Sequence, residues 1–373
     1  MTILFITRKH PPSVGGMQQL SYHLIKAISS QVPVHVIKWG GSQRWLPLFL
    51  PYALVRALWV LRTTPITLIH LSDLVLSPLG VFLRSVSRRP VVANAHGLDV
   101  IYPNWLYQAV MPVCARQLDF VICNSEHTRQ QCLAQSIKAE RTEVIPPGVD
   151  ITSFKLSLPE DKQIYWTRRW GLIPLPRHVL LTVGRLVPRK GVFFFVSEVL
   201  PCLIRRRNDW AYLIVGDGPE RPFIEKAVQD RGLGEVVRVL GCVPEDELQA
   251  AYAIADLFVM PNISVPGDSE GFGIVALEAR AAGLPVVATT VEGISDAFVA
   301  EDDGVLIPPG DADIFVETID RLLETRLTIE TRLRRRYQVE SCYGWTHIAQ
   351  RYLTVFRDVQ TAYHARQNQG SYR

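Results

Sequence analysis

The 373-residue sequence has six cysteines, Cys114, Cys123, Cys132, Cys202, Cys242 and Cys342, and none forms a C-x-x-C pair. That spacing excludes a zinc ribbon and a disulfide scaffold and leaves reduced thiols as the simplest account. Low-complexity segments and short-period repeats are missing. No secretory leader is expected, because the apolar run Ile3 to Thr7 is only as long as a strand. A strong charge of one sign is missing too: the formal net charge is +4, too mild to point to nucleic acid. Long hydrophobic runs are scarce. Trp45 to Leu61 approaches membrane-spanning length, but Pro47, Pro51 and Arg56 interrupt it and Arg44 and Arg62 flank it, which excludes a transmembrane span. It reads either as a buried helix or as an amphipathic surface helix that touches lipid.

What remains is an ordinary globular composition, 48% apolar and 20% charged, in a chain long enough for two domains. Charge is divided unevenly. Met1 to Asp150 holds 14 Lys and Arg against 7 Asp and Glu, and the remainder 26 against 29. A basic first half suits an anionic partner such as a lipid phosphate or an acidic membrane surface; scattered solubilising arginines are the plainer reading.

Short runs rich in Val, Ile and Leu alternate with helical patterns. The first half offers strands at Thr2–Thr7, Val34–Lys38, Ile66–Leu71, Pro90–Ala95, Phe120–Cys123 and Glu143–Ile145. The second offers His178–Val183, Trp210–Val215, Val236–Leu240, Leu257–Met260, Pro285–Ala288 and Val305–Ile307. Continuous apolar strands spaced by helices mark parallel sheets covered on both faces, hence two doubly wound α/β domains with ligands at the carboxyl ends of the strands. The pattern lapses between Asp150 and Arg177, which sets a first domain at 1–165, a second at 166–345 and a closing helix at 346–373.

Within that frame, Asp268-Ser-Glu-Gly-Phe-Gly-Ile-Val-Ala-Leu-Glu278 stands out. Gly271 and Gly273 permit a tight turn into a helix whose free amides suit an anion or hydroxyl. Glu278 has no helical neighbour able to pair with a carboxylate, and a buried, unpartnered carboxylate costs several kcal/mol, so a ligand's ribose hydroxyls would satisfy it. A distant Arg or a backbone amide is the structural alternative. Gly184-Arg-Leu-Val-Pro-Arg-Lys-Gly191 follows the first strand of the second domain, where Arg185 as a fork and Lys190 as a point charge suit a diphosphate. In the first domain Gly15-Gly16 precedes a helix, and its amides would approach a phosphate. His96, in His96-Gly-Leu-Asp99, sits at a strand terminus. Asp311-Ala-Asp313 matches a metal-binding D-x-D string but reads better as a helix N-cap followed by a first-turn acid.

Taken together, these motifs resemble glycosyltransferase family 4, retaining enzymes of the GT-B fold, over nearly the whole chain. The resemblance rests on Gly15-Gly16, His96-Gly-x-Asp99, Ile145-Pro-Pro-Gly-Val-Asp150, Gly184-Arg185 to Lys190-Gly191, and the spacing of Glu270 and Glu278. It implies two Rossmann-like domains facing a central cleft and a last helix that crosses back to the first domain. Arg185 and Lys190 would hold the diphosphate and Glu278 the ribose. Glu270 with the amides of Gly271, Phe272 and Gly273 would hold the transferred sugar, His96 would contact it, and the segment around Val239 would border the base. His96, Arg185, Lys190 and Glu270 are thereby the expected catalytic set. Gln18 and Pro147 depart from the family's frequent Glu and Asn.

The resemblance further implies transfer of a hexose from a nucleotide-diphosphate sugar to a glycan or lipid-linked acceptor. No metal or other cofactor is expected, no nucleic acid is involved, and the leaving diphosphate takes the acceptor's proton. Pro266-Gly-Asp-Ser-Glu-Gly-Phe-Gly looks like members that use GDP-mannose, although users of UDP-sugars share most of it. The expected location is cytoplasmic, with peripheral contact at the inner face of the cell membrane. Two other functions fit the same residues: a non-catalytic nucleotide-sugar-binding partner of another transferase, and a sugar phosphorylase or epimerase on the same fold.

Overall fold

The structure is a computed structural model that describes residues 1–13, 15–41, 45–174, 176–298, 304–325 and 327–370; Arg44, one of the two flanking arginines, lies outside them. All twelve expected strands form. One sheet holds β1 (Ile3–Thr7), β2 (Val34–Lys38), β3 (Leu68–Leu71), β4 (Val91–Ala95), β5 (Phe120–Cys123) and β6 (Thr142–Val144), in the order β2-β1-β3-β4-β5-β6. The other holds β7 (His178–Val183), β8 (Trp210–Val215), β9 (Val237–Gly241), β10 (Leu257–Met260), β11 (Val286–Thr289) and β12 (Val305–Ile307), in the order β12-β11-β10-β7-β8-β9. Each strand pairing within the two sheets is parallel. The chain divides into two compact units, residues 1–148 with 343–373, and residues 149–342.

The first unit carries α1 (Gly16–Ser29), α2 (Leu46–Thr63), α3 (Ser77–Ser87), α4 (Leu98–Ile101), α5 (Trp105–Ala115) and α6 (Glu126–Ala134). The second carries α7 (Glu160–Arg169), then α8 (Val192–Phe194), which runs through a π-turn into α9 (Leu200–Arg206). It continues with α10 (Arg221–Asp230), α11 (Glu245–Ile254), α12 (Ile274–Ala281), α13 (Ala312–Glu324) and α14 (Ile329–Tyr343), and the chain ends in α15 (Trp345–Gly370), which folds with the first unit.

Alternation along β1 shows how the first unit is layered. Leu4 and Ile6 point to one face and pack with Phe49, Leu79 and Met111 of α2, α3 and α5. Ile3 and Phe5 point to the other and pack with Leu24 and Ile28 of α1 and Tyr352 and Phe356 of α15. Residues 149–165 fold with the second unit. Phe154 meets the ring of Tyr252 edge-on at 5.3 Å, and the Arg336 guanidinium donates to the carbonyls of Ile151 and Phe154 at 2.6 and 2.9 Å.

The segment from Trp45 is a helix with two apolar sides. Phe49, Ala53, Ala57 and Val60 are buried, while Trp45, Leu48, Tyr52, Val55 and Trp59 are exposed. Of its four aromatics, which would all share the core if the segment were simply buried, only Phe49 does. Among the described residues no helix is long and apolar enough to cross a membrane.

Candidate active site

In each sheet the strand order reverses beside the strand that comes first in the chain, and a ligand crevice is expected at the carboxyl ends of such neighbouring strands. In the second unit those neighbours are β7 and β10. The loop after β7 carries Arg185 and Lys190; the loop after β10 carries Asn262 and Glu270 and leads into α12. The two loops touch through backbone. The Ile263 amide donates to the Arg189 carbonyl at 3.0 Å, and Gly191 lies so close to Pro261 that a Cβ there would stand 1.8 Å from its carbonyl oxygen. With φ at +64°, Gly191 is a position that only glycine fills without strain.

Lys190 and Glu270, which the resemblance assigns to different parts of a ligand, are joined directly: Nζ lies 2.6 Å from Oε2. The same oxygen takes Arg189 Nε at 3.4 Å and accepts from Asn262 Nδ2 at 3.3 Å, and Arg189 also holds Asp268 at 3.1 Å. Glu292 accepts the Glu270 amide, and the Glu270 carbonyl accepts the Gly293 amide at 3.2 Å, so the loop is clamped from both sides. Glu292 does this at φ +50°, a left-handed conformation that favours glycine. Arg189, Asn262 and Glu292 went unremarked in the sequence because each acts across elements remote in the chain.

Gly273 is the N-cap of α12, and among the described residues the amides of Gly271 and Gly273 have no hydrogen-bond partner, while Phe272 is buried between them. Glu278, one turn further on, has a partner that its own helix could not supply: the Tyr252 hydroxyl of α11 donates to Oε2 at 2.9 Å. No partner holds Oε1 among the described residues. Burial pushes the Glu278 carboxyl up to about 7; the Tyr252 bond and the Lys190 ammonium pull the other way. Arg185 is exposed and makes no side-chain hydrogen bond or ion pair among the described residues. Val239 is half-buried in β9, in register with Ile214. Asp311 is the N-cap of α13, its Oδ1 accepting the Ile314 amide at 3.1 Å, with Asp313 in the first turn.

In the first unit the corresponding strand ends gather a second group. His96 follows β4. Its amide donates to Asp99 Oδ1 at 2.7 Å and its Nε2 lies 2.8 Å from the Ser72 carbonyl, which can only accept, so Nε2 carries a proton and Nδ1 is the ring nitrogen left for a ligand. Asp99 Oδ2 accepts the Leu74 amide at 3.1 Å, tying the loops after β3 and β4 together. Burial, opposed by the charge of His96, raises the Asp99 pKa. Arg8 and Lys9, just past β1, were not singled out by the sequence. Arg8 Nε pairs with the buried Asp73 at 2.8 Å, and burial, with Arg8 alongside, lowers the Lys9 pKa. Gly15, at φ +151°, caps α1, its carbonyl accepting the amides of Gln18 and Gln19 at 3.1 and 3.2 Å, while a Cβ on Gly16 would meet nothing within 4 Å. His96 also lines a small crevice with Asn124, Pro146, Trp345 and Tyr352.

Comparison with known proteins converges on one family. Residues 12–153 match the model described as Glycosyltransferase Family 4, and residues 167–340 that described as Glycosyl transferases group 1. A GDP-mannose-dependent alpha-(1-6)-phosphatidylinositol monomannoside mannosyltransferase of Mycolicibacterium smegmatis is 29% identical over 357 residues, covering 86% of this chain and 89% of the relative. An uncharacterized glycosyltransferase of Methanocaldococcus jannaschii is 26% identical, covering 93% and 86%. Among solved structures, Anabaena HepE in complex with UDP superposes with a TM-score of 0.74 at 20% identity, covering 96% of this chain and all of the other. Sucrose-phosphate synthase of Thermosynechococcus elongatus gives 0.76 at 22%, covering 97% and 99%. With two parallel six-stranded sheets and a family match on each, the chain belongs to glycosyltransferase family 4 and has the GT-B fold.

Proposed function

We propose that the protein is a retaining, metal-independent hexosyltransferase that moves mannose from GDP-mannose to a lipid-linked or glycan acceptor in glycolipid or polysaccharide biosynthesis. One observation carries the reading: Lys190, Glu270 and the half-open carboxylate of Glu278 converge at the carboxyl ends of β7 and β10. Lys190 and Arg185 then hold the diphosphate. Glu278 Oε1 accepts the ribose hydroxyls, and the Val239 segment borders the base. Glu270, with the amides of Gly271, Phe272 and Gly273, holds the transferred sugar. In the first unit the Gly15-Gly16 loop approaches phosphate, and His96 contacts the sugar through Nδ1. The GDP-mannose-dependent relatives support the choice of donor.

In the reaction the bond from C1 to the phosphate oxygen breaks and a bond from C1 to the acceptor oxygen forms on the same face. The acceptor's proton passes to the leaving diphosphate. Catalysis is then positioning plus stabilisation of the leaving group by Arg185, Lys190 and the α12 amides. Calorimetry and steady-state kinetics test the roles together. Lys190→Ala is expected to weaken nucleoside-diphosphate binding and turnover alike, whereas His96→Ala lowers turnover and leaves nucleotide affinity nearly intact. Equal loss of nucleotide affinity in both variants would show one of them misplaced. At equal concentrations GDP-mannose should give the largest thermal stabilisation among nucleotide sugars, reaching about 2.7 kcal/mol when it is at a hundred times its Kd.

A further inference from the structure

Residues 1–118 contain 11 Lys and Arg but only two carboxylates, Asp73 and Asp99, and both are buried. This stretch of the first unit therefore presents no acidic side chain to solvent among the described residues. Within it, α2, α3 and α5 lie side by side over one face of the sheet, α3 touching both of the others. None of the three helices contains an Asp or Glu.

Each of the three also turns apolar side chains outward. On α2 they are Leu48, Tyr52, Val55 and Trp59, a stripe at helical spacing in which Val55 is 66% and Trp59 55% exposed. On α3 they are Phe82 and Val86, and on α5 Leu106, Val110 and Val113. Scattered exposed apolar residues need no explanation, but stripes on three adjacent helices do. Exposed Arg56, Arg62, Arg88 and Arg116 accompany them, and the Arg56 guanidinium lies over the Trp59 ring at 4.8 Å.

We propose that the outer faces of α2, α3 and α5 together form a docking surface for an anionic lipid bilayer, with the apolar stripes entering the headgroup boundary and the arginines meeting lipid phosphates. Apolar side chains with a fringe of cations and no anion is the pattern of interfacial membrane binding. A second copy of this chain would bring the same arginines together with no carboxylate opposite them, which disfavours that occupant. The inference deepens the lipid-acceptor part of the proposed function and involves none of the residues assigned to the donor.

Flotation of the full-length protein with phosphatidylcholine vesicles, with and without phosphatidylglycerol, tests it at low and high salt. Binding is expected only to the anionic vesicles at low salt, and to weaken at high salt. Trp59→Ser, Phe82→Ser and Val110→Ser, one on each helix, should each lower the partition coefficient by about fivefold or more. Arg56→Gln should lower it about fivefold at low salt and little at high salt. No binding to anionic vesicles overturns the proposal, as does a loss confined to the α2 variants. Self-association abolished by the same changes without vesicle binding overturns it in favour of a dimer. Donor binding measured without vesicles stays intact in all four variants, so failure here and failure of the transferase reading give different results.

Discussion

Removing one hydroxyl should move the pH at which the donor binds. Tyr252 donates to Glu278 Oε2 at 2.9 Å, and its ring stacks on Phe258 at 5.8 Å, so Tyr252→Phe deletes the bond and keeps the packing. A hydrogen bond to a charged group contributes about 1.5–3 kcal/mol, equivalent to roughly 1–2 pKa units. Burial already places the Glu278 carboxyl at about 7, and losing the donor moves it further up. The ionised form accepts ribose hydroxyls, so affinity in the wild type should rise with pH through the neutral range and level off above it. In Tyr252→Phe the midpoint shifts alkaline, which at pH 7.5 weakens binding by roughly 3- to 25-fold. The gap closes near pH 9.5, where both carboxyls are ionised. The Tyr252 hydroxyl is itself pushed well above its usual range by burial and by Glu278, so it does not titrate in this window. Titrating GDP-mannose, rather than a free diphosphate whose own phosphate ionises, from pH 6 to 9.5 by calorimetry gives the two curves. Coincident midpoints, or a gap that persists at pH 9.5, would refute the assignment of Glu278 as an ionised ribose ligand.

Three further outcomes are expected. Transfer should survive excess chelator and Asp313→Asn should be nearly silent, because the helix is capped by Asp311; loss of activity restored by manganese would sink both the capping account and the leaving-group chemistry. Gly191→Ala should lower thermal stability by more than about 2 kcal/mol and impair donor binding, since the methyl meets the Pro261 carbonyl at 1.8 Å and the backbone is left-handed; a melting curve like the wild type's counts against that loop contact. Glu292→Ala loses the acceptor for the Glu270 amide but keeps the strain, costing about 1–3 kcal/mol, whereas Glu292→Gly recovers about 1 kcal/mol of it. If the alanine variant melts no lower than the glycine one, the left-handed backbone is not strained.

The strands were legible because parallel strands covered on both faces carry unbroken apolar runs: β3, β4 and β8 are buried at every position. Asp311 was legible for a different reason, since a cap bonds three residues ahead and needs no knowledge of the fold. The partners of the site residues were not. Tyr252 reaches Glu278, and Arg189 reaches Asp268 and Glu270, only because β10 lies beside β7 in a sheet whose order the sequence does not spell out. The solvent side of α2 was hidden likewise. With apolar residues around nearly its whole circumference, its periodicity could not separate the stripe of Phe49 and Ala53 from that of Tyr52 and Val55, and the sheet beneath decides.

The place of α15 has a consequence for how the protein is made. Ile348, Tyr352 and Phe356 cover the sheet face formed by Ile3, Phe5 and Val92, residues synthesised well before them. At ordinary elongation rates, the roughly 200 residues of the second unit emerge over about 10–40 s before that cover exists. During that interval the nascent first sheet has α1 alone on one face, with the strip destined for α15 bare. The second unit, contiguous in sequence from 149 to 342, can complete its own core in the meantime. The first unit can therefore complete its core only after the second has been made, whereas the second needs nothing that follows residue 342.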